Sequence, residues 1–329
     1  MKKILAALIV LSIAILAISL ATAEVVTEKT GATLRIASLK GPTTMGLVKL
    51  MDDAKAGKTA NDYTFAMEGT ADAISPLLIR GELEAAMVPA NLAAVLISKT
   101  DGALQIAAIN TLGVLYVVEN GETVQSVADL AGKTVYSTGK GTTPEYALNY
   151  ILRGNGLNPD KDVHIEYKSE ATEVASAMLN DAASIAVLPQ PYVTAVLMQN
   201  AGTRVALSLT DEWEKLGDGS AMITGVCLVS RAFAEQNPAA MHTFLEEYAA
   251  SVKFVNENPA EAAKWIAELG IVAAAPVAEK SIPACNIVSI TGGEMVTKAT
   301  GYLDALYRQN PDSVGGKPAD ETYFYIAEN

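Results

Sequence analysis

Short apolar runs alternate with amphipathic segments along most of the chain. Leu34–Ser38 predicts a buried strand, and apolar residues then recur through residues 47–54 at the spacing of a helix face. The same order returns at Thr134–Ser137, a strand, followed by a helix that Thr143 would cap and that Gly154 or Gly156 would end. This alternation predicts an α/β fold in which each sheet is mostly parallel and flanked by helices.

The two strand–helix series share identical residues 100 positions apart. The shared residues are Lys40-Gly41 with Lys140-Gly141, Thr43 with Thr143, Ala86 with Ala186, Pro89 with Pro189, and Gly102 with Gly202. In both series Lys-Gly-x-Thr follows the first strand, and a proline follows a later one. Agreement of identity with position predicts two lobes built on one plan.

Two long apolar stretches mark the places where the chain crosses between these lobes. Residues 106–118 are too long for one strand and contain Gly113, and residues 221–229 follow an acidic loop. Beyond them, helices are predicted at residues 238–256, 259–269 and 294–309. The predicted lobes are residues 31–114 plus 223–329, and residues 115–222, joined by two hinge strands.

The first residues have the pattern of an export signal. Lys2 and Lys3 precede the apolar run Ile4–Leu20, and Ala21-Thr22-Ala23 matches an A-x-A cleavage site. This predicts a secretory signal peptide over residues 1–23 and a protein that acts in the periplasm or at the outer face of the cytoplasmic membrane. An uncleaved anchor is the alternative, because 17 apolar residues nearly suffice to span a bilayer.

Composition narrows the function classes. The chain of 329 residues has 24 basic and 37 acidic residues, a net charge of −13, which disfavours nucleic acid and anionic membrane surfaces. With two His and two Cys, and no metal or catalytic motif, no metal, cofactor or catalytic residue is predicted. In an exported chain, Cys227 and Cys285 would either form one disulfide or remain buried thiols.

Three local marks carry a family resemblance. Ser126–Leu130 (SVADL) with Gly132-Lys133 fits S-x-x-D-L-x-G-K, Arg35–Ala37 opens lobe one, and Val229–Phe233 precedes a helix. On these marks the chain resembles the substrate-binding proteins of ABC importers, in the nitrate/sulfonate/taurine and thiamine-precursor (NMT1/THI5-like) group. The resemblance covers nearly all of the chain after the signal. It implies a type II periplasmic-binding fold and a monomeric, non-enzymatic solute receptor that works with a membrane permease.

Candidate ligand-binding residues follow from topology. In open α/β sheets, ligands bind beyond the carboxyl ends of the strands, which selects five loops. The glycine-rich loop at residues 137–144 suits an oxyanion because it offers backbone N–H groups, Lys140 and a helix N-terminus, although Glu145 would repel an anion there. The candidates are Lys40, Thr43, Thr44, Glu68, Thr70, Asn91, Asn110, Lys140, Gly141, Thr142, Thr143, Gln190 and Tyr192.

The favoured ligand is a small organic anion, such as a sulfonate or carboxylate, but two alternatives stay open. Glu68 could accept an amine or a ring N–H, and Tyr116, Tyr146 and Tyr192 could stack on a pyrimidine or flavin-like ring. An enzyme on the same fold is the second alternative. It is disfavoured because the chain lacks the clustered cysteines of the related synthases and begins with an export signal.

Overall fold

A computed structural model describes residues 29–180, 184–217 and 219–327. The predicted signal peptide, residues 1–23, lies outside the described residues. Within those residues, no helix combines the length and apolar character needed to cross a membrane.

The described strands are β1 (Thr33–Leu39), β2 (Asp62–Glu68), β3 (Ala85–Pro89), β4 (Leu104–Leu112), β5 (Leu115–Asn120), β6 (Thr134–Ser137), β7 (His164–Tyr167), β8 (Ile185–Pro189), β9 (Thr203–Ser208), β10 (Ile223–Ser230) and β11 (Ile287–Ile290). The described helices are α1 (Pro42–Met45), α2 (Val48–Lys55), α3 (Ala71–Ile79), α4 (Ala90–Lys99), α5 (Thr143–Gly154), α6 (Ala171–Asn180), α7 (Tyr192–Gln199), α8 (Leu209–Glu214), α9 (Arg231–Gln236), α10 (Pro238–Glu257), α11 (Pro259–Glu268), α12 (Ala275–Ser281) and α13 (Gly292–Gln309).

The strands form two sheets, which confirms the two-lobed α/β fold. Their orders are β11-β4-β10-β3-β1-β2 and β7-β6-β8-β5-β9. Both sheets are mixed: β1–β4 run in one direction against β10 and β11, and β6–β9 run in one direction against β5. The reversed strands β5 and β10 are the ones the chain enters immediately after passing from one sheet to the other.

The order of strands repeats between the sheets. Setting β1–β4 against β6–β9 leaves β10 equivalent to β5, inserted between the third and fourth strands in each case. Identical residues 100 positions apart fall at matching places, such as Pro89 and Pro189 at the ends of β3 and β8. The exact lobe boundaries stay a prediction, but the strands divide as residues 33–112 plus 223–290, and residues 115–208.

One helix start differs from the prediction. The N-cap of α5 is Thr142, with Thr143 as the first helical residue. The candidate site residue Asn91 is the second residue of α4. The motif before β6 behaves as its sequence indicates. The Ser126 N–H and hydroxyl donate to Asp129 Oδ2 at 2.8 and 3.0 Å, which fixes a short 3₁₀ turn.

Helix α13 connects the two lobes a third time. It packs on β4 and α4 of lobe one and reaches α5 of lobe two. At this junction Trp213 of α8 lies 4.0 Å from the Tyr150 ring and 5.4 Å from the Tyr302 ring, measured between ring centroids. Because Trp213 and Tyr302 are fully buried and Tyr150 packs on them, the core of one lobe continues into the core of the other.

Both cysteines are buried free thiols, so the disulfide considered from the sequence is not formed. Cys227 lies on β10, and Cys285 follows a 3₁₀ turn before β11. Burial raises the pKa of each thiol to about 12. At neutral pH both thiols are therefore protonated and unreactive.

Candidate functional site

The cleft is bordered by the carboxyl ends of strands from both sheets. In lobe one, helices α3 and α4 begin where β2 and β3 end, and in lobe two α5, α6 and α7 begin after β6, β7 and β8. The first turns of these helices leave backbone N–H groups without intrahelical partners, and their dipoles place partial positive charge at the same edge. Such an edge favours electron-rich ligand groups without requiring a charged side chain.

Predicted site residues from the two lobes meet directly across this cleft. The Thr143 hydroxyl, at the start of α5, donates to Asn91 Oδ1 of α4 at 3.4 Å. At the hinge, the Tyr116 hydroxyl of β5 donates to the Ala284 carbonyl at 2.8 Å. The structure therefore brings Asn91 and Thr143 together, with the lobes in contact.

A second predicted pair forms the lobe-one side of the cleft. Asn110 of β4 donates from Nδ2 to the Thr43 carbonyl at 3.4 Å, and both residues are buried. Gly225 of β10 makes this possible, because a Cβ there would collide with Asn110 Oδ1 and the Thr43 methyl group. A glycine is therefore required beside this pair for reasons of space.

Four buried polar atoms at this edge of the lobe-one sheet, including Asn110 Oδ1, have no hydrogen-bond partner among the residues that the structure describes. They are Ser38 Oγ, Asn110 Oδ1, Thr111 Oγ1 and Thr224 Oγ1. Their residues lie at the ends of β1 and β4 and at the start of β10, which meet at one edge because β10 runs antiparallel. Buried polar atoms are nearly always paired in folded proteins, so a group of unpaired atoms indicates a place for a bound molecule or water.

The remaining lobe-one candidates are engaged locally or exposed. The hydroxyls of Thr43 and Thr44 both donate to the Leu39 carbonyl, the first at 3.0 Å, so their protons are not available to a ligand. Lys40 is exposed, and its backbone N–H donates to the Glu68 carbonyl at 3.0 Å. Glu68 is half-buried at the end of β2. Thr70 is exposed at the N-cap of α3.

The glycine-rich loop of lobe two is closed by its own glutamate. The Gly141 N–H donates to Glu145 Oε2 at 2.5 Å, and the Thr142 hydroxyl donates to the Gly139 carbonyl at 2.6 Å. The Lys140 ammonium lies 5.8 Å from the centroid of the Tyr167 ring. The loop that the sequence favoured for an oxyanion thus already holds a carboxylate at one of its N–H groups.

The last candidates, Gln190 and Tyr192, flank Pro191 after β8. Gln190 is buried, and its side-chain oxygen accepts from the Thr194 hydroxyl at 2.8 Å and from the Thr194 N–H at 3.3 Å. Its NH₂ group makes no hydrogen bond with any described residue. Tyr192 is half-buried and packs against the lobe-two core.

The tyrosines considered for ring stacking do not gather at one place. Tyr146 is 8% exposed, and its hydroxyl accepts from Asn310 Nδ2 at 3.0 Å. Tyr116 is tied to Ala284, and burial raises the pKa of its hydroxyl to about 12. Both hydroxyls are therefore engaged within the protein, and the Tyr146 ring is buried.

Three residues of this site were not predicted from the sequence. Ser38 and Thr111 are polar positions at the ends of apolar strands, which is the signal that could have found them. Tyr302 of α13 has a fully buried hydroxyl beside Thr143 and no sequence signal, because its helix has an ordinary amphipathic pattern. Burial raises the pKa of Tyr302, and the neighbouring Thr143 hydroxyl offsets part of that rise.

The four residues with unpaired atoms, Ser38, Asn110, Thr111 and Thr224, are called the cleft floor here, and they carry three hydroxyls and one amide. Among the described residues, no group of three or more His, Cys, Asp or Glu is arranged to hold a metal ion. The floor can donate hydrogen bonds from three hydroxyls and can accept them at Asn110. This arrangement suits recognition of a small polar molecule.

Comparisons with known proteins agree with this architecture. A family model described as NMT1/THI5 like matches residues 100–262, and no curated protein sequence matches the chain. A solved ABC transporter protein from Parabacteroides distasonis has a TM-score of 0.75 and 21% identity, over 90% of this chain and 100% of that one.

Two further solved structures bear names that state a ligand. The aliphatic sulphonate binding protein SsuA from Escherichia coli has a TM-score of 0.70 and 18% identity, over 90% of this chain and 92% of its own. The nitrate-binding protein NrtA from Synechocystis PCC 6803 has a TM-score of 0.58 and 14% identity, over 87% and 85%. The resemblance inferred from the sequence is confirmed: the chain carries an NMT1/THI5-like region at residues 100–262 and has the two-lobed fold of these periplasmic binding proteins.

Proposed function

We propose that this protein is an extracytoplasmic solute receptor. It binds a small organic anion between its lobes and delivers it to the permease of an ABC importer. The fold and the family region support the receptor role, and the names of two similar structures, a sulphonate-binding and a nitrate-binding protein, support the class of ligand. The similar proteins are binding proteins rather than enzymes, and no observation on the cleft favours catalysis.

The four unpaired polar atoms at the cleft floor carry the proposal. The hydroxyls of Ser38, Thr111 and Thr224 can each donate to a ligand oxygen, and the helix N-termini around them add partial positive charge. Three hydroxyl donors can stabilise an oxyanion without a buried cation, whose desolvation would be costly. Sulfonate and carboxylate groups present the required oxygens.

Asn110 narrows the ligand further. Its Oδ1 is a buried acceptor without a partner, and its Nδ2 already donates to Thr43. A ligand that satisfies Oδ1 must carry an N–H or O–H close to its anionic group. We therefore propose a hydroxylated or amino-substituted organic anion rather than a simple alkyl one.

Binding is tested by thermal unfolding of the purified protein, refolded from denaturant to remove any carried-over solute. 2-Hydroxyethanesulfonate and ethanesulfonate are the probes. At 100 times its dissociation constant a ligand stabilises the folded state by about 2.7 kcal/mol, a shift of several degrees in Tm. We expect the hydroxylated probe to give the larger shift.

Two isosteric variants locate the binding. Thr224→Val and Thr111→Val remove one hydroxyl donor each and should reduce the shift, whereas Thr64→Val, at an exposed position of β2, should not. A shift of equal size in all three variants would place the anion elsewhere. If neither probe, nor a wider set of carboxylates and phosphonates, raises Tm, the anion-receptor proposal is wrong.

A further inference from the structure

A second hollow lies between α5, the loop at residues 158–163, strand β7 and the end of α13. It consists of two adjoining cavities of about 250 and 500 Å³ that share Lys140, Glu145, Asn149 and Asp160 as lining residues. Gln309 and the residue that follows it also line the larger cavity, so the walls come from both lobes. None of the four unpaired atoms of the cleft floor belongs to a residue that lines it.

Two cations face this hollow without a carboxylate partner. Lys140 lies over the Tyr167 ring, and the Arg153 guanidinium donates to Gln309 Oε1 at 3.2 Å. Neither lies within 4.0 Å of a carboxylate oxygen from the residues that the structure describes. Both side chains therefore retain donors for an anionic group.

One carboxylate in the hollow is occupied and the other is free. Glu145 accepts the Gly141 N–H and also pairs with the Tyr167 hydroxyl. Burial is the largest cause of the raised pKa of Tyr167, and the negative charge of Glu145 raises this pKa further. Asp160 lies within 4.0 Å of no cation in the described part of the chain. It is the carboxylate that can accept an ammonium group.

A buried acceptor completes the arrangement. Asn149 Oδ1 is shielded from solvent and has no hydrogen-bond partner in the described part of the chain, although its residue lines both cavities. An unpaired buried oxygen needs an N–H or O–H from a bound molecule or water. Donors from Lys140 and Arg153 and acceptors from Asp160 and Asn149 thus line a hollow large enough for a small solute.

We propose that this hollow is a second solute site, which binds a small zwitterion. Its oxyanion pairs with Lys140 and Arg153, and its ammonium group pairs with Asp160 and donates to Asn149 Oδ1. The site is independent of the anion that we propose for the cleft. It also gives a role to Lys140-Gly141, which the structure does not place among the unpaired groups of the cleft floor.

β-Alanine is the probe, titrated into the full protein by isothermal calorimetry. We expect it to bind at least tenfold more tightly than propionate or ethylammonium, which carry one charge each. It should also bind more tightly than its N-trimethyl analogue, which lacks N–H donors. Equal affinity for all four compounds would overturn the zwitterion assignment, and so would no binding of β-alanine.

Exposed side chains allow the site to be located with little risk to the fold. Asp160→Asn and Arg153→Gln should each weaken β-alanine binding at least tenfold, whereas Lys161→Gln, a neighbouring charge that does not line the hollow, should leave it unchanged. Unchanged Tm values would show that the variants are folded. β-Alanine binding that survives Asp160→Asn and is lost in Thr224→Val would place the zwitterion in the cleft and overturn the second site. If 2-hydroxyethanesulfonate still raises the Tm of Asp160→Asn, the cleft site is intact in this variant, and the two proposals are tested separately.

Discussion

The Lys-Gly-x-Thr loops of the two lobes begin with the same residues but make different hydrogen bonds. In lobe one the loop ends in Met45, which is buried in the core, and the Thr43 hydroxyl turns back to the Leu39 carbonyl. In lobe two the equivalent position is Glu145, whose carboxylate takes the Gly141 N–H. The loops differ at three positions, Pro42/Thr142, Thr44/Pro144 and Met45/Glu145. Of these, the change from methionine to glutamate supplies the carboxylate that accepts the glycine N–H in lobe two.

The reversed strands β10 and β5 also carry different side chains at equivalent positions. Gly225 and Leu115 are equivalent, because they pair with Pro89 and Pro189, and Val229 and Glu119 are equivalent, because they pair with Ala85 and Ile185. Lobe one has a glycine beside the cleft and a valine at the far end of the strand. Lobe two has a leucine and a buried glutamate at the same places. The glycine therefore leaves room for the unpaired groups at the cleft end of β10, and the glutamate places an ion pair at the far end of β5.

The largest effect is expected when Glu119 is replaced by its lobe-one counterpart. Glu119 is 2% exposed, pairs with Arg204 at 2.8 Å, and accepts the N–H and hydroxyl of Thr123 and the Val124 N–H. Glu119→Val leaves these buried donors without an acceptor and should lower the free energy of unfolding by about 3–5 kcal/mol in denaturant titrations. Glu82→Gln, at an exposed ion pair, serves as the control and should leave the denaturation midpoint unchanged.

The pH dependence of unfolding checks the same pair. Burial alone would raise the pKa of Glu119, but the hydrogen bonds from Thr123 and Val124 and the Arg204 charge hold it below its ordinary value of 4.5. A lowered folded-state pKa contributes stability above pH 4.5 that is lost as pH falls through the folded value. Below pH 4.5 the free energy of unfolding should therefore fall less steeply with decreasing pH in Glu119→Val than in the parent protein. An unchanged slope would contradict the assignment.

Gly225→Ala should have the next largest effect, because it adds a side chain at the position where lobe two has Leu115. The added methyl group collides with Asn110 Oδ1 and the Thr43 methyl, so we expect a loss of about 1–3 kcal/mol. Binding of 2-hydroxyethanesulfonate should fall at least tenfold. Gly293→Ala, where a Cβ meets nothing within 4 Å, is the control for the glycine-to-alanine change. Normal binding by Gly225→Ala would show that the ligand does not contact this pair.

Glu145→Met gives the lobe-two loop the residue of lobe one. It removes the carboxylate that caps Gly141 and complements the α5 dipole, and should lower the free energy of unfolding by about 1 kcal/mol. Glu173→Met, in the first turn of α6 and bonded to the Ser169 N–H, is a matched variant outside this loop. If Glu145→Met also gains affinity for inorganic sulfate and Glu173→Met does not, the glutamate is what closes the loop to anions.

The sequence predicted the architecture far better than it predicted the site. Alternating apolar runs, the 100-residue repeat and Gly113 between two apolar strands all reflect backbone and burial requirements, which act locally and leave a periodic trace. Helix starts were less certain: at the start of α5 the sequence predicted Thr143 as the cap, and the structure has Thr142. Adjacent threonines offer the same capping chemistry, so only the backbone angles distinguish them.

The candidate site depends on long-range contacts that no local pattern records. Whether the Lys140 loop is open depends on where Glu145 folds, and whether Asn110 has a partner depends on Gly225, more than 100 residues away. Asn91 and Thr143 were both predicted, but their contact follows from how the lobes meet. The site residues stay predictions until ligand binding is measured.

Tyr302→Phe is expected to have the smallest effect. It tests the difference in surroundings between the equivalent residues Thr43 and Thr143. Thr43 bonds within its own lobe, whereas Thr143 reaches Asn91 of the other lobe and has the buried Tyr302 hydroxyl beside it. That hydroxyl has no hydrogen-bond partner of good geometry, so removing it should change the free energy of unfolding by less than about 1 kcal/mol, toward greater stability. Tyr248→Phe, which removes an equally buried and unpaired hydroxyl in the lobe-one core, should behave in the same way. If Tyr302→Phe alone destabilises the protein, Tyr302 donates to Thr143, and α4 and α13 of lobe one hold the start of α5 from two sides.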